Sequence, residues 1–253
     1  MSEGTPPPNE DQQRQMIRVQ LPDRKPIVTI SILIITAMVF IAQYLLQITT
    51  GYDILFLYLG KINDFIMQGQ LWRLITPALV HGGIFHFILN MYALFVIGNR
   101  LERFYKPGRF LLLYVLSAFA GNVLSFVLSS VPSLGASTAV FGVLAAEGVF
   151  IFQNRKLFGE ARTRQAITNL AMILIINLGY GFLPGSKIDN MGHIGGLLGG
   201  FFFAWKAGPV LKLEGNPPFF TVVDSRQKSD ILAASLVVFV GFIVIALIPF
   251  LKT

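Results

Sequence analysis

Residues 190–200 read NMGHIGGLLGG, and this stretch decides the fold. His193, Gly196 and Gly200 are spaced by three and four, so on a helix they form one stripe. Glycine in such a stripe lets a neighbouring backbone approach closely, as between helices in a bilayer. Two other apolar segments carry reactive-looking residues in their first turns. HFILN (86–90) holds His86 and Asn90, and GASTAVFG (135–142) holds Ser137. Polar side chains within membrane spans are costly and mark functional sites.

The whole composition agrees with a bilayer setting. Of 253 residues 54% are hydrophobic and 13% charged, about half the charged fraction of soluble domains. The 23 Phe are spread through long apolar runs, and there is no cysteine, so neither a disulfide framework nor a thiolate metal site is available. The opening MSEGTPPPNEDQQRQ is polar and acidic, and reads as neither a signal peptide nor a transit peptide.

A helix needs about 20 apolar residues to cross the hydrocarbon. Seven segments are candidates: Ile27–Ile48, Ile84–Gly98, Phe110–Ser129, Ser137–Phe152, Ala166–Phe182, Met191–Trp205 and Ile231–Leu251. The short middle ones suit helices enclosed by neighbours. With the N-terminus inside, 16 of the 20 basic residues fall in cytoplasmic segments, and only Lys61, Arg73, Lys187 and Lys252 fall outside. This asymmetry sets the expected orientation, N-terminus cytoplasmic and C-terminus outside. It also accounts for the net charge of +7 through anchors at the lipid surface, without nucleic acid. The expected organisation is a disordered cytoplasmic tail (1–26), a six-helix core (27–207), a cytoplasmic linker marked by Gly215, Pro217 and Pro218 (208–229), and a seventh transmembrane helix (230–253). The outer loop 49–83 is too apolar to be fully solvated, and Trp72 reads as its anchor.

Spans two, four and six all run from outside to inside in this topology. His86, Ser137 and His193 lie near their starts, so the three side chains are expected at one depth. Asn90 shares a helical face with His86. Gly135 and Ala136 allow a tight entry into the helix that Ser137 begins, and the helix dipole behind Ser137 suits a developing oxyanion. Phe141 lies one turn further on the same face. Each pattern alone has a bland reading: Ser bonds back to its own helix, and His, Asn and glycine stripes serve as packing glue. Their coincidence at one depth points to acyl transfer.

These residues resemble the rhomboid family of intramembrane serine proteases, from about Leu71 to Trp205. Trp72 and Arg73 look like the family's outer-loop pair. His81, His86 and Asn90 match the spacing of its second-helix motif, and Glu102 resembles its acid at the inner end of that helix. The resemblance implies an all-α membrane protein, a six-helix rhomboid-like bundle plus a seventh helix. It implies Ser137 as nucleophile, His193 as general base, His86 and Asn90 as oxyanion donors, and Gly196 and Gly200 as the glycine stripe. Two positions depart from the family pattern. Thr138 stands where glycine is common, which makes the helix entry less permissive, and Phe141 stands where tyrosine is frequent. Substrates would be transmembrane proteins entering sideways, with span five as gate. No metal or other cofactor is implied, and a bacterial plasma membrane is the expected location. A catalytically inactive relative that binds membrane-protein clients, a three-histidine metal site, and a transporter using Asn122, Glu147, Asn169 and Asn177 are the competing readings. The last lacks an inverted repeat.

Overall fold

A computed structural model describes residues 18–251. In chain order the helices are α1 (Ile27–Thr50), α2 (Ile54–Leu59), α3 (Asn63–Met67), α4 (Ile84–Tyr105), α5 (Pro107–Leu128), α6 (Ser137–Gln153), α7 (Arg155–Phe158), α8 (Glu160–Gly181), α9 (Asn190–Ala207) and α10 (Lys228–Ala246). Three short strands are β1 (Arg18–Gln20), β2 (Leu211–Asn216) and β3 (Phe219–Asp224). Six long helices, α1, α4, α5, α6, α8 and α9, make the bundle, and α10 is the seventh. Four helical segments, α1, α4, α5 and Lys228–Leu251, are long and apolar enough to cross a membrane, and α6 is a shorter apolar helix. The protein is a multi-pass integral membrane protein, and the many exposed Ile, Leu and Phe side chains on α1, α8 and α10 belong against lipid.

The centre of the bundle is α6. It is apolar all round, and Thr138 through Glu147 are buried without a break. A helix with no polar face needs neighbours on every side. α6 packs against α4, α5, α8 and α9, while α9 also packs against α5 and α10. At the periphery, Thr163 is the one buried residue of α8.

Helix ends decide how this bundle closes. The first N–H groups and last C=O groups of a helix lack internal partners, and at membrane depth no bulk water replaces them. Side chains from distant elements do so instead. The Glu102 carboxylate on α4 accepts from Val28 N–H at 2.8 Å, and from Thr29 N–H and Thr29 Oγ1 at 2.7 Å each. Glu102 therefore caps the N-terminus of α1, where the helix dipole also favours a negative charge. At the other end of the bundle, which carries Ser137, buried Arg73 donates to the carbonyls of Gly60 (2.7 Å) and Leu57 (2.6 Å) at the C-terminus of α2. Fully buried Lys61 donates Nζ–H to Ser129 O and Val131 O just beyond α5. Burial pushes its ammonium down to about 8, with Asp189 opposing the shift.

The stretch expected as a linker carries a hairpin. β2 pairs antiparallel with β3, from Leu211 opposite Asp224 to Asn216 opposite Phe219, with Pro217 and Pro218 as the turn. β1 adds in parallel to β3, so the order is β1-β3-β2. Arg18–Gln20, within the segment read as a disordered tail, is thus a strand, and residues 1–17 lie outside the described residues. The hairpin is tied to the bundle by a buried Arg109–Asp224 ion pair at 2.8 Å. Arg226 adds bonds to Gly208 O and Trp205 O, and Asn154 bonds Leu211 N–H and Pro209 O. These ties join Arg109, Asn154 and Arg226 to partners in other segments, which turn residues alone do not reveal.

The cap on α1 is directly testable. Glu102→Ala leaves three donors unpaired and should lower the unfolding free energy in bicelles by about 3 kcal/mol. Thr29→Val removes one donor together with its bond while keeping the shape, and should cost about 1 kcal/mol. Equal losses would show that the carboxylate is not the cap.

Candidate active site

The site begins in the turn before α6. Gly135 has φ +121°, and a Cβ there would stand 2.5 Å from Cε1 of the His86 ring, so only glycine suits both the backbone and the contact. Gly135 N–H donates to Pro77 O at 2.9 Å. The next N–H, of fully buried Ala136, donates to His81 Nε2 at 3.3 Å. α6 then starts at half-buried Ser137. As the first helical residue, Ser137 has a backbone N–H without an intrahelical acceptor.

α9 starts from Asp189. One carboxylate oxygen accepts from Gly192 N–H at 2.9 Å, which is an N-cap. The other accepts from Ser125 Oγ at 2.5 Å. Neither bond involves the His193 ring. His193 is buried, and its ring stacks on Phe141 with centroids 4.1 Å apart and planes 12° apart. Its Nδ1 has no hydrogen-bond partner among the described residues. Ser137 precedes Phe141 by four residues, so both side chains lie on one face of α6, the face that His193 covers.

The helices α6 and α9 meet backbone to backbone along this face. A Cβ at Gly196 would stand 1.9 Å from Thr138 O, and one at Gly200 would stand 2.4 Å from Gly142 Cα. On its other side α9 turns Gly195 and Gly199 to α5, against Ala120, Gly121 and Leu116. Sequence spacing marks the Gly196/Gly200 stripe, and the doubled glycines of GHIGGLLGG are the trace of the second face. Thr138 is buried, and its methyl lies where Gly121 and Gly192 leave room: a Cβ at either would approach Thr138 side-chain atoms to 2.6–3.0 Å.

α4 supplies the third side. Asn90 is buried and donates one amide N–H to His86 O at 2.9 Å, leaving its second amide N–H for another acceptor. The His86 ring lies beside Gly135 and 5.2 Å from the His81 ring. Burial, reinforced by the neighbouring His86, holds the His81 imidazole down to about 3. It is thus neutral at physiological pH, as an Nε2 acceptor must be.

Other sequence-picked residues lie away from this cluster. Trp72 Nε1–H donates to Tyr58 O at 3.2 Å and Arg73 braces the outer loop, while Glu102, at the far end of α4, caps α1. Glu147, the deep acid of the transporter reading, pairs with Arg100 at 2.6 Å. Asn122 donates to Leu74 O and Ala118 O, and Asn169 and Asn177 bond within exposed α8. Among the described residues no three His, Cys, Asp or Glu side chains group as metal ligands.

The rhomboid domain family model matches residues 68–210, more than half of the chain. Over 198 residues the chain is 42% identical to the rhomboid protease GluP of Bacillus subtilis (strain 168), a match covering 77% of this chain and 38% of that protein. It is 38% identical over 143 residues to RHOMBOID-like protein 5 of Arabidopsis thaliana, covering 55% and 45%. Over 195 residues it is 33% identical to RHOMBOID-like protein 7 of the same plant, covering 73% and 58%. The chain thus spans less than two thirds of the length of each of these relatives. A matched domain that contains every residue of the Ser137 cluster, in a bundle built on the α6–α9 glycine contact, makes the protein a member of the rhomboid family.

Proposed function

We propose that the protein is an intramembrane serine endopeptidase that cleaves transmembrane proteins with Ser137 and His193. The observation that carries this reading is the His193–Phe141 stack, one helical turn from Ser137 and beside the α6–α9 backbone contact. The relative named a rhomboid protease supports the same chemistry. His193 takes the Ser137 proton as the alcohol attacks a peptide carbonyl. The oxyanion is met by the Ser137 N–H, the His86 ring and the free N–H of Asn90. His193 then gives its proton to the leaving amine, and water hydrolyses the acyl-enzyme. Among the described residues no carboxylate bonds the imidazole, whose Nδ1 has no hydrogen-bond partner; the stacked Phe141 ring orients it.

The distribution of Lys and Arg supports a Ser137 end facing outside and a cytoplasmic sheet, in a bacterial plasma membrane. Substrate helices enter beside α8, which has the least buried surface of the bundle helices, and unwind into an extended strand at the site.

Ser137→Ala and His193→Ala should each reduce cleavage of a transmembrane substrate below detection while the protein stays folded. A fluorophosphonate should label wild-type Ser137 alone. Cleavage by either variant at the wild-type rate would refute the dyad. His86→Ala and Asn90→Ala should each lower kcat by roughly 100-fold, the effect of losing one oxyanion donor.

Acid should loosen the turn before Ser137. The His81 imidazole is held at about 3 in the fold against 6.5 when free, so the folded state disfavours the proton. Its contribution to stability is complete above about pH 6.5 and is lost as pH falls towards 3. Carboxylates titrate in the same window, so the readout is a difference. The fall in melting temperature between pH 7 and pH 4 should be smaller in His81→Asn than in the wild type. Parallel pH profiles of the two proteins would contradict a neutral acceptor at this position.

A further inference from the structure

Gln43 lies on the apolar helix α1, is 3% exposed, and is not part of the Ser137 cluster. A buried amide in such a helix needs a partner at both ends. Its Oε1 accepts from the backbone N–H of His81 at 3.0 Å. Its Nε2 donates to Asp53 Oδ2 at 2.8 Å. Asp53 is itself fixed, because Oδ1 caps α2 by accepting from Phe56 N–H at 3.0 Å. His81 in turn accepts the N–H of Ala136, the residue before Ser137.

We infer that Gln43, oriented by Asp53, is a positioning residue for the nucleophile turn and acts through His81. The inference rests on the serine protease reading above. The direction of every bond supports it. An ionised Asp53 only accepts, so the Gln43 amide nitrogen must face it. The amide oxygen must then face His81 N–H, and no flip of the amide satisfies both neighbours. This pins the His81 backbone, while Phe40, Phe87 and His86 crowd the ring edge at centroid distances of 5.2–6.4 Å. A ring so held presents Nε2 to Ala136 N–H in one orientation. That bond sets where α6 begins, and hence the direction of the Ser137 N–H and hydroxyl. Helix α1, which contributes no residue to the cluster, thereby governs its geometry.

Donor–acceptor parity supplies the test. Gln43→Leu in the full-length protein should lower kcat by about 10- to 100-fold, the cost of a small misplacement of reacting groups. KM should change less than about twofold, since no substrate contact is lost. Fluorophosphonate labelling of Ser137 should slow in parallel. Gln43→Glu sets two carboxylates face to face, and Asp53→Asn sets two amide nitrogens face to face, so each single variant should be impaired. The double variant Q43E/D53N reverses the donor and acceptor between the two side chains, keeps an acceptor for His81 N–H and retains a good cap for α2. It should recover to within about threefold of the wild type. Backbone hydrogen exchange at residues 134–138 should accelerate in the single variants and return in the double one.

A wild-type kcat in Gln43→Leu, or a double variant no better than the singles, would overturn the inference. Should the wild-type protein neither cleave nor be labelled, the protease reading itself fails. Exchange at 134–138 then decides the remainder: unchanged rates in Gln43→Leu would overturn the hold on the turn as well.

Discussion

The α6–α9 backbone contact is the constraint on which the rest of the structure depends. Gly196 meets the Thr138 carbonyl and Gly200 meets Gly142 Cα at distances that admit no side chain. Lipid offers helices no hydrophobic drive to associate, so close van der Waals contact between backbones must hold them. That contact fixes the axial register of the two helices. It lets the ring of His193, near the start of α9, stack on Phe141, one turn beyond Ser137 on α6. A methyl group at Gly196 would push α9 away and carry the imidazole with it. The glycine stripe is therefore a condition of the site's geometry as much as of packing.

Helix termini impose the second constraint. In water a frayed end is solvated at little cost, whereas here several ends are closed by charged side chains. Glu102 closes α1, Arg73 closes α2, Lys61 closes α5 and Asp189 closes α9. Hydrogen bonds to charged groups are worth roughly 1.5–3 kcal/mol each, and leaving such a group unpaired costs more. These caps are thus strong enough to fix loop geometry. They also carry position from one element to the next: Arg73 secures α2, Asp53 at the head of α2 orients Gln43, and Gln43 reaches the turn that launches Ser137.

Much of this was legible in the sequence, and the remainder was hidden for physical reasons. The seven long helices fall where the apolar runs lie, because burial in lipid requires continuous apolarity. The starts of α4, α6 and α9 follow from polar residues at the edges of those runs. The partner of Glu147 was not readable, since Arg100 is 47 positions away and on another helix. Gln43 looked like an ordinary interruption of an apolar helix, because its two partners belong to a loop and to the approach to α4. The hairpin at 211–224 was masked by Gly215, Pro217 and Pro218, which break helices but also build a tight turn between strands. Local pattern reports what a residue does to its own segment, and bonds to other segments leave no local trace.

Thr138 illustrates how a departure from the family pattern is absorbed. A larger residue next to Ser137 would ordinarily force α6 away from α5 and α9, at a cost of about 1–3 kcal/mol for overpacking. Gly121 on α5 and Gly192 on α9 both face it and leave the space that its methyl occupies. Three positions on three helices thus act as one volume. Thr138→Gly would open a void between α5 and α9, and Gly192→Ala would crowd both the Thr138 methyl and the Asp189 carboxylate, at 3.0 and 2.8 Å. The size of the residue after Ser137 is thus matched to its neighbours across the helix interface.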